Sequence, residues 1–170
     1  MQVDTQGQEQ EQDREWGSRW LSNSTEDHIC WTQLPVDQID VYSSIFRQAH
    51  DYWSRIRGNK WAPARSDFDP AELAAILPSV LLMEVEQPGP RFRYRLAGTR
   101  TADFHAIELT GRYVDQLEPA VFAQALGQQL AAVVASRQSQ FIHWRLIERA
   151  EQIRDYCVLR LPMSSDGKTV

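Results

Sequence analysis

Residues 91–97 read Arg-Phe-Arg-Tyr-Arg-Leu-Ala, and that strict alternation constrains the chain more than any other feature. Side chains on a strand point to opposite faces with a period of two. Phe92, Tyr94 and Leu96 therefore share one face, and Arg91, Arg93 and Arg95 share the other. A strand with one dry and one wet side belongs in an antiparallel sheet. Residues 80–85 (Val-Leu-Leu-Met-Glu-Val) precede it across Gln87-Pro88-Gly89-Pro90, which is turn chemistry, so the two form a hairpin. Glu84 and Glu86 then stand where they can answer the arginines across the pair.

Residues 140–147 and 153–161 form a second strand pair around a polar turn. Between the pairs, residues 99–118 read as a short helix and loops. Residues 119–137 read as a longer helix with Val121, Phe122, Ala125, Leu126, Leu130, Val133 and Val134 on one face. Ahead of the first hairpin, Val36, Ile39, Tyr42, Ile45, Phe46, Ala49, Trp53 and Ile56 recur at helical spacing. They predict one amphipathic helix over residues 36–57, opened by Pro35 and stopped by Gly58. Asp69-Pro70-Ala71-Glu72 has the pattern of a capping box before a short helix closed by Pro78. Helices, two strands, helices, two strands: this order predicts an α+β domain, an antiparallel sheet with helices on one face and an N-terminal amphipathic helix.

Charge separates the arm from the body. Residues 1–28 hold seven acidic and two basic side chains, which accounts for the whole net charge of −5. The rest sums to zero, so the body lacks the basic face that nucleic acid requires. The arm is rich in Gln and acid and poor in aliphatics, and cannot bury enough apolar surface to offset its ordering entropy. We therefore expect a disordered arm over residues 1–34, with Trp16 and Trp20 as two exposed rings, and a folded domain over residues 35–170. No window approaches the 18 or so apolar residues of a membrane span, and the N-terminus lacks the features of a signal peptide. The expected location is the cytoplasm, with Cys30, in the arm, and Cys157 as reduced thiols.

Five motifs in order carry a resemblance. Trp53-x-x-x-Arg57-Gly58, Pro63-x-Arg65-x-Asp67-x-Asp69-Pro70, Leu77-Pro78, Arg93-Tyr94-Arg95-Leu96-Ala97-Gly98-Thr99 and Leu109-Thr110-Gly111-Arg112 resemble a family of short, stand-alone bacterial PAS-fold proteins. The likeness runs from about residue 41 to the end. It implies a five-stranded antiparallel sheet, a pocket between the sheet's inner face and the middle helices, and a sensory or protein-interaction role. It also implies a fifth strand at the sheet's centre. Residues 162–168 resemble the turn before that strand and the strand itself is absent, so a C-terminally incomplete domain is expected. His105-Ala106 stands where the family usually has an aromatic residue and glycine.

Within that frame Tyr94, Leu96, Phe104, His105, Arg112, Phe122, Leu126 and Trp144 are the expected pocket residues, with His105, Tyr94 and Arg112 as its polar groups. Ile39, Tyr42, Phe46 and Trp53 are the expected dimer or partner interface, because an exposed apolar stripe of that length is avoided by monomers. His143 is expected on the sheet's outer face. Asp67, Asp69 and Glu72 form an acidic cluster that capping explains better than metal binding, with Asp67 expected to pair with Arg65. Haem is disfavoured because residues 119–137 hold no His. No Gly-x-Ser-x-Gly elbow, phosphate loop or His-Glu-x-x-His motif occurs, so nothing supports catalysis, and no cofactor is assigned. The expected function is signal transduction: a small molecule binds in an internal pocket and the chain signals through its N-terminal helix or dimer interface, with a second copy of itself and a signalling protein as partners. The alternative is a ligand-free adaptor that recruits such a partner.

Overall fold

The structure, a computed structural model, describes residues 21–22, 28–105, 107–148, 152–167 and 170. Its first sheet is the expected hairpin of β3 (Leu81–Glu86) and β4 (Arg91–Ala97), with Glu84 opposite Arg93 and Glu86 opposite Arg91. Phe92 and Tyr94 point inward and are buried. The register slips between Leu82 and Met83, where Arg95 is the extra residue, and beyond it Leu96 is only half-buried.

The second sheet has the order β1-β2-β5-β6, all antiparallel, built from β1 (Leu21–Ser22), β2 (His28–Leu34), β5 (Gln140–Glu148) and β6 (Gln152–Arg160). The strand β2 corrects one expectation. Residues 28–34 are not disordered but pair with β5 along their whole length, from His28 opposite Ile147 to Leu34 opposite Phe141. Ile29 joins the core opposite Leu146, and Cys30 is fully buried on this strand rather than lying in an arm. Apolar Ile29 and Trp31 alternate with Cys30 and Thr32, a short strand pattern that the polar run before it conceals. The remainder of the expected arm, with Trp16 and Trp20, lies outside the described residues. The single sheet that was expected is two, with no ladder between β3 and β6 among the described residues.

The expected helix over residues 36–57 is interrupted. A turn of 3-10 helix (Val36–Gln38) leads into α1 (Ile39–Tyr42), and α2 (Ser44–Arg57) starts afresh after Ser43. Ser43 is extended, with φ −172° and ψ 142°, and its hydroxyl accepts from the Ile45 amide at 3.3 Å. A serine side chain satisfies an unpaired first-turn amide in this way, which favours a new N-terminus over a continuous helix. Gly58 ends α2 with φ 55°, in the region open to glycine.

A short helix, α3 (Thr99–His105), follows β4, and a long one, α4 (Ala120–Ser136), precedes β5. The main core lies between α4, the inner face of β5 (Ile142, Trp144, Leu146) and the inner residues of β4. On the outer face of β5, Phe141 is met by α1 and α2. Gly98 closes β4 against the preceding loop: its amide donates to the Val80 carbonyl at 2.9 Å, and a Cβ there would lie 2.3 Å from the Pro78 carbonyl oxygen. This contact is why Leu77-Pro78 and Ala97-Gly98-Thr99 occur together.

Candidate functional site

The interior is assembled by backbone contacts that begin at Tyr94. Its N–H donates to the Arg112 carbonyl at 2.9 Å, and its own carbonyl accepts from the Gly111 amide at 2.7 Å. Gly111 turns the chain with φ 85°, so Leu109-Thr110-Gly111-Arg112 works as a clip on the edge of β4. Leu109 plugs the core, and Tyr94 is held facing inward.

Four expected pocket residues are gathered by the fold. Tyr94, Phe122, Leu126 and Trp144 belong to one core cluster drawn from β4, α4 and β5. Trp144 is fully buried, with the Phe122 ring edge-on at 5.3 Å and the Tyr156 ring stacked at 6.4 Å. His105, at the end of α3, sets its ring 6.0 Å from that of Phe122. Burial holds the imidazole below its ordinary value of 6.5, and the charge of Arg154 pushes the same way.

The others fall elsewhere. Arg112 is exposed and donates from Nε to the Glu108 carbonyl at 2.8 Å, because the clip that presents its carbonyl to Tyr94 turns its side chain outward. Leu96 stays outside the cluster beyond the bulge. The Phe104 side chain lies outside the described residues.

Two residues that the sequence reading passed over sit beside this cluster. Gln129 on α4 and Arg160 at the end of β6 are 4% and 7% exposed, and buried Gln140 stands opposite Arg160 on β5. Arg160 donates from Nη1 to Gln129 Oε1 at 2.5 Å. Its Nη2 and the Nε2 of Gln129 are buried with no hydrogen-bond partner among the described residues. Tyr94 and Tyr156 are close enough for their hydroxyls and Arg160 to influence one another. Burial raises both phenols, Tyr94 to about 12, and lowers Arg160 to about 10. At neutral pH the tyrosines are therefore neutral and the guanidinium is charged. The missed signal was Gln129 itself, four residues after Ala125 and four before Val133 on the buried face of α4.

The expected interface residues are mostly consumed within the chain. Ile39 is 0% and Trp53 8% exposed, and Trp53 donates from Nε1 to the Pro162 carbonyl at 2.8 Å. Phe46 and Tyr42 meet the Phe141 ring edge-on at 5.0 and 5.2 Å. Only Tyr42, at 44%, and its neighbour Val41, at 82%, remain exposed there. The helix stripe is covered from within the chain, by Phe141 of β5 at Tyr42 and Phe46 and by Leu73 and Ile76 at Ile45, Ala49 and Ile56.

The acidic cluster is taken up by local structure. Asp69 accepts from the Ala71 amide at 2.9 Å, capping the turn Pro70–Leu73, while Glu72 pairs with Arg55 instead of closing a capping box. Asp67 accepts from the Ala64 amide at 3.0 Å, which holds its carboxyl below 3.8. It also meets Lys60 rather than Arg65, whose guanidinium lies over the Phe68 ring. Among the described residues no group of three His, Cys, Asp or Glu is placed to hold a metal ion. On the hairpin's outer face Arg93 pairs with Glu84 as expected, while Arg91 reaches Asp115 at 2.7 Å and lies over the Tyr113 ring. His143 is half-buried and meets Asp155 at 3.1 Å on the side of β5 away from the core. Two surface clefts, of about 320 and 390 Å³, lie at Trp61 and Ser164 and between α2 and Leu73. Neither is lined by the residues of the interior cluster.

Residues 41–170 match the sequence profile described as PAS domain. No curated protein and no solved structure matches the chain.

Proposed function

The chain belongs to the PAS domain family, and from that premise we propose that it is a sensory module that holds a small molecule in its interior and answers through its N-terminal helices. PAS domains are in general non-catalytic sensory or interaction modules. The observation that supports the finer reading is the double use of β5. One face of that strand carries Trp144, against Phe122 and beside Tyr94, where the occupant would sit. The opposite face carries Phe141, gripped by Tyr42 and Phe46 of the N-terminal helices. An occupant that favours one placement of Trp144 biases the strand, and with it the seat of α1 and α2. The response then equals the difference in affinity for the two placements.

On this reading the chain acts in the bacterial cytoplasm, with a second copy or a signalling protein as partner. Val41 and Tyr42 are the exposed large apolar side chains of the N-terminal helices, available for that contact. Among the described residues no helix is long and apolar enough to cross a membrane.

Native mass spectrometry beside the denatured mass tests the proposal. A mass excess lost on denaturation is the expected result. A native mass equal to the bare chain, from every growth condition tried, overturns ligand sensing and favours an adaptor that recruits its partner without an occupant.

A further inference from the structure

The strand β6 presents Arg154, Tyr156, Val158 and Arg160 on its inner side, in register with Leu146, Trp144, Ile142 and Gln140 of β5. Arg160 thus enters the core at the seam between the two sheets. Tyr94 of the hairpin stands on the other side of that seam, within electrostatic reach of Arg160. Burying a cation next to Val158 and Ile142 is costly unless a partner of opposite charge accompanies it. Among the described residues the one side chain hydrogen-bonded to Arg160 is the neutral amide of Gln129, and no Asp or Glu acts on it.

What remains bare points in one chemical direction. Guanidinium Nη2 and amide Nε2 are donors without acceptor capacity, so whatever completes them must accept hydrogen bonds. The uncompensated charge is a single positive one, which a singly charged group neutralises. One bare guanidinium N–H and one bare amide N–H match the two oxygens of a carboxylate, whose single negative charge balances the one guanidinium. The nearest residues on the same elements, Ile142 and Val158 on the strands and Leu126 and Val133 about one turn from Gln129 on α4, are apolar. We propose that Arg160 and Gln129, with Tyr94 and Tyr156 alongside, form the binding site for the carboxylate of a small organic acid whose remaining part is apolar. This rests on the sensory reading above and names the chemical class of its occupant.

The test uses the 170-residue chain and four acids, acetate, butyrate, hexanoate and benzoate, each beside its amide and beside inorganic phosphate at matched ionic strength. Calorimetry and thermal unfolding read the binding. The expected result is saturable binding of at least one acid, with its amide at least about tenfold weaker because a charge-assisted pair is lost. Arg160→Gln abolishes that preference. No acid exceeding its amide, or phosphate binding tighter than all four, overturns the proposal, and both comparisons are made on the unaltered chain in case the variant does not fold. A molecule retained in native mass spectrometry and held equally well by Arg160→Gln overturns the carboxylate site while leaving ligand sensing intact. A bare native mass with no acid binding removes both.

Discussion

The two faces of β5 solve the problem of burial in opposite ways. On the outer side the anchoring contacts are apolar: Phe141 sits between the rings of Tyr42 and Phe46, the Trp53 indole finds the Pro162 carbonyl, and the buried atoms without a partner among the described residues, Thr32 Oγ1 and Arg57 Nε, stand apart on separate elements. On the inner side, where β5 runs alongside β6, a charged guanidinium and a glutamine amide are buried with donors left bare. A packed ring stabilises the fold with no help from outside. A bare buried donor weakens it, and where local rules are broken in a folded chain the reason is usually function. The outer contacts anchor the N-terminal helices, while the inner side holds the main core and departs from close apolar packing only where Gln129 and Arg160 enter it.

The largest expected effect lies on the outer side. Phe141→Ala removes a fully buried ring and leaves a cavity between the sheet and α1 and α2, at a cost of about 3–5 kcal/mol. Denaturant unfolding of the purified variant measures it. A loss below about 1 kcal/mol would mean that the N-terminal helices are not anchored by that ring, and the contrast between the faces would fail. Next is Asp69→Ala, at the edge of the same layer. The carboxylate caps the turn Pro70–Leu73, and the Asp69 amide donates to the Tyr52 hydroxyl at 2.7 Å, tying that turn to α2. Loss of the cap is expected to cost about 1 kcal/mol by the same measurement.

How far these elements could be read from the sequence depends on whether a residue's neighbours lie along the chain. The hairpin, the strands β5 and β6 and the helix α4 are periodic over seven residues or more, and periodicity needs no tertiary information. The strand β2 follows a long polar run, and its pairing partner lies more than a hundred residues away at residues 141–147. The break at Ser43 is legible only once its hydroxyl is seen capping α2. The core cluster around Trp144 was legible, since Tyr94, Phe122 and Trp144 occupy the inward positions of their elements. Arg112 was misplaced because a motif fixes where the backbone goes and leaves the side chain's direction open. Gln129 and Arg160 were invisible because a polar residue on an apolar face is read as an interruption until the fold shows it buried.

A pH series sharpens the comparison, because both faces carry histidines. Burial holds His50 and His143, on the outer side, and His105, on the inner side, below 6.5. The folded chain thus favours their neutral form. Above pH 6.5 folded and unfolded rings are both neutral and the contribution is intact; below it the unfolded chain takes up the proton first. Stability is therefore expected to fall as the pH drops from 6.5 through the lower folded values. Asp40, Asp67, Glu84, Glu108 and Asp115, held low mainly by their hydrogen bonds, add losses of the same sign only below about 4.5. Each ring is only partly buried, so the individual effects are small. His105→Phe should flatten the decline between pH 7.5 and 5.5 in part, leaving the outer share. An unchanged slope would show that the inner histidine is not held neutral by burial.

The smallest expected effect is the most telling one. Arg160→Met alone leaves Gln129 Oε1 without its donor and should destabilise the chain. The double variant Arg160→Met, Gln129→Leu removes both polar groups and the bare donors together, replacing them with side chains of similar bulk. Breaking a buried pair is costly, whereas exchanging the whole pair for apolar side chains is often neutral or stabilising. The double variant should therefore unfold within about 1 kcal/mol of the parent, or above it, while Phe141→Ala falls far below. A loss approaching that of Phe141→Ala would make Gln129 and Arg160 part of the structural frame. Near-equality would mean that the fold does without them, so that their presence at the seam answers to something other than stability.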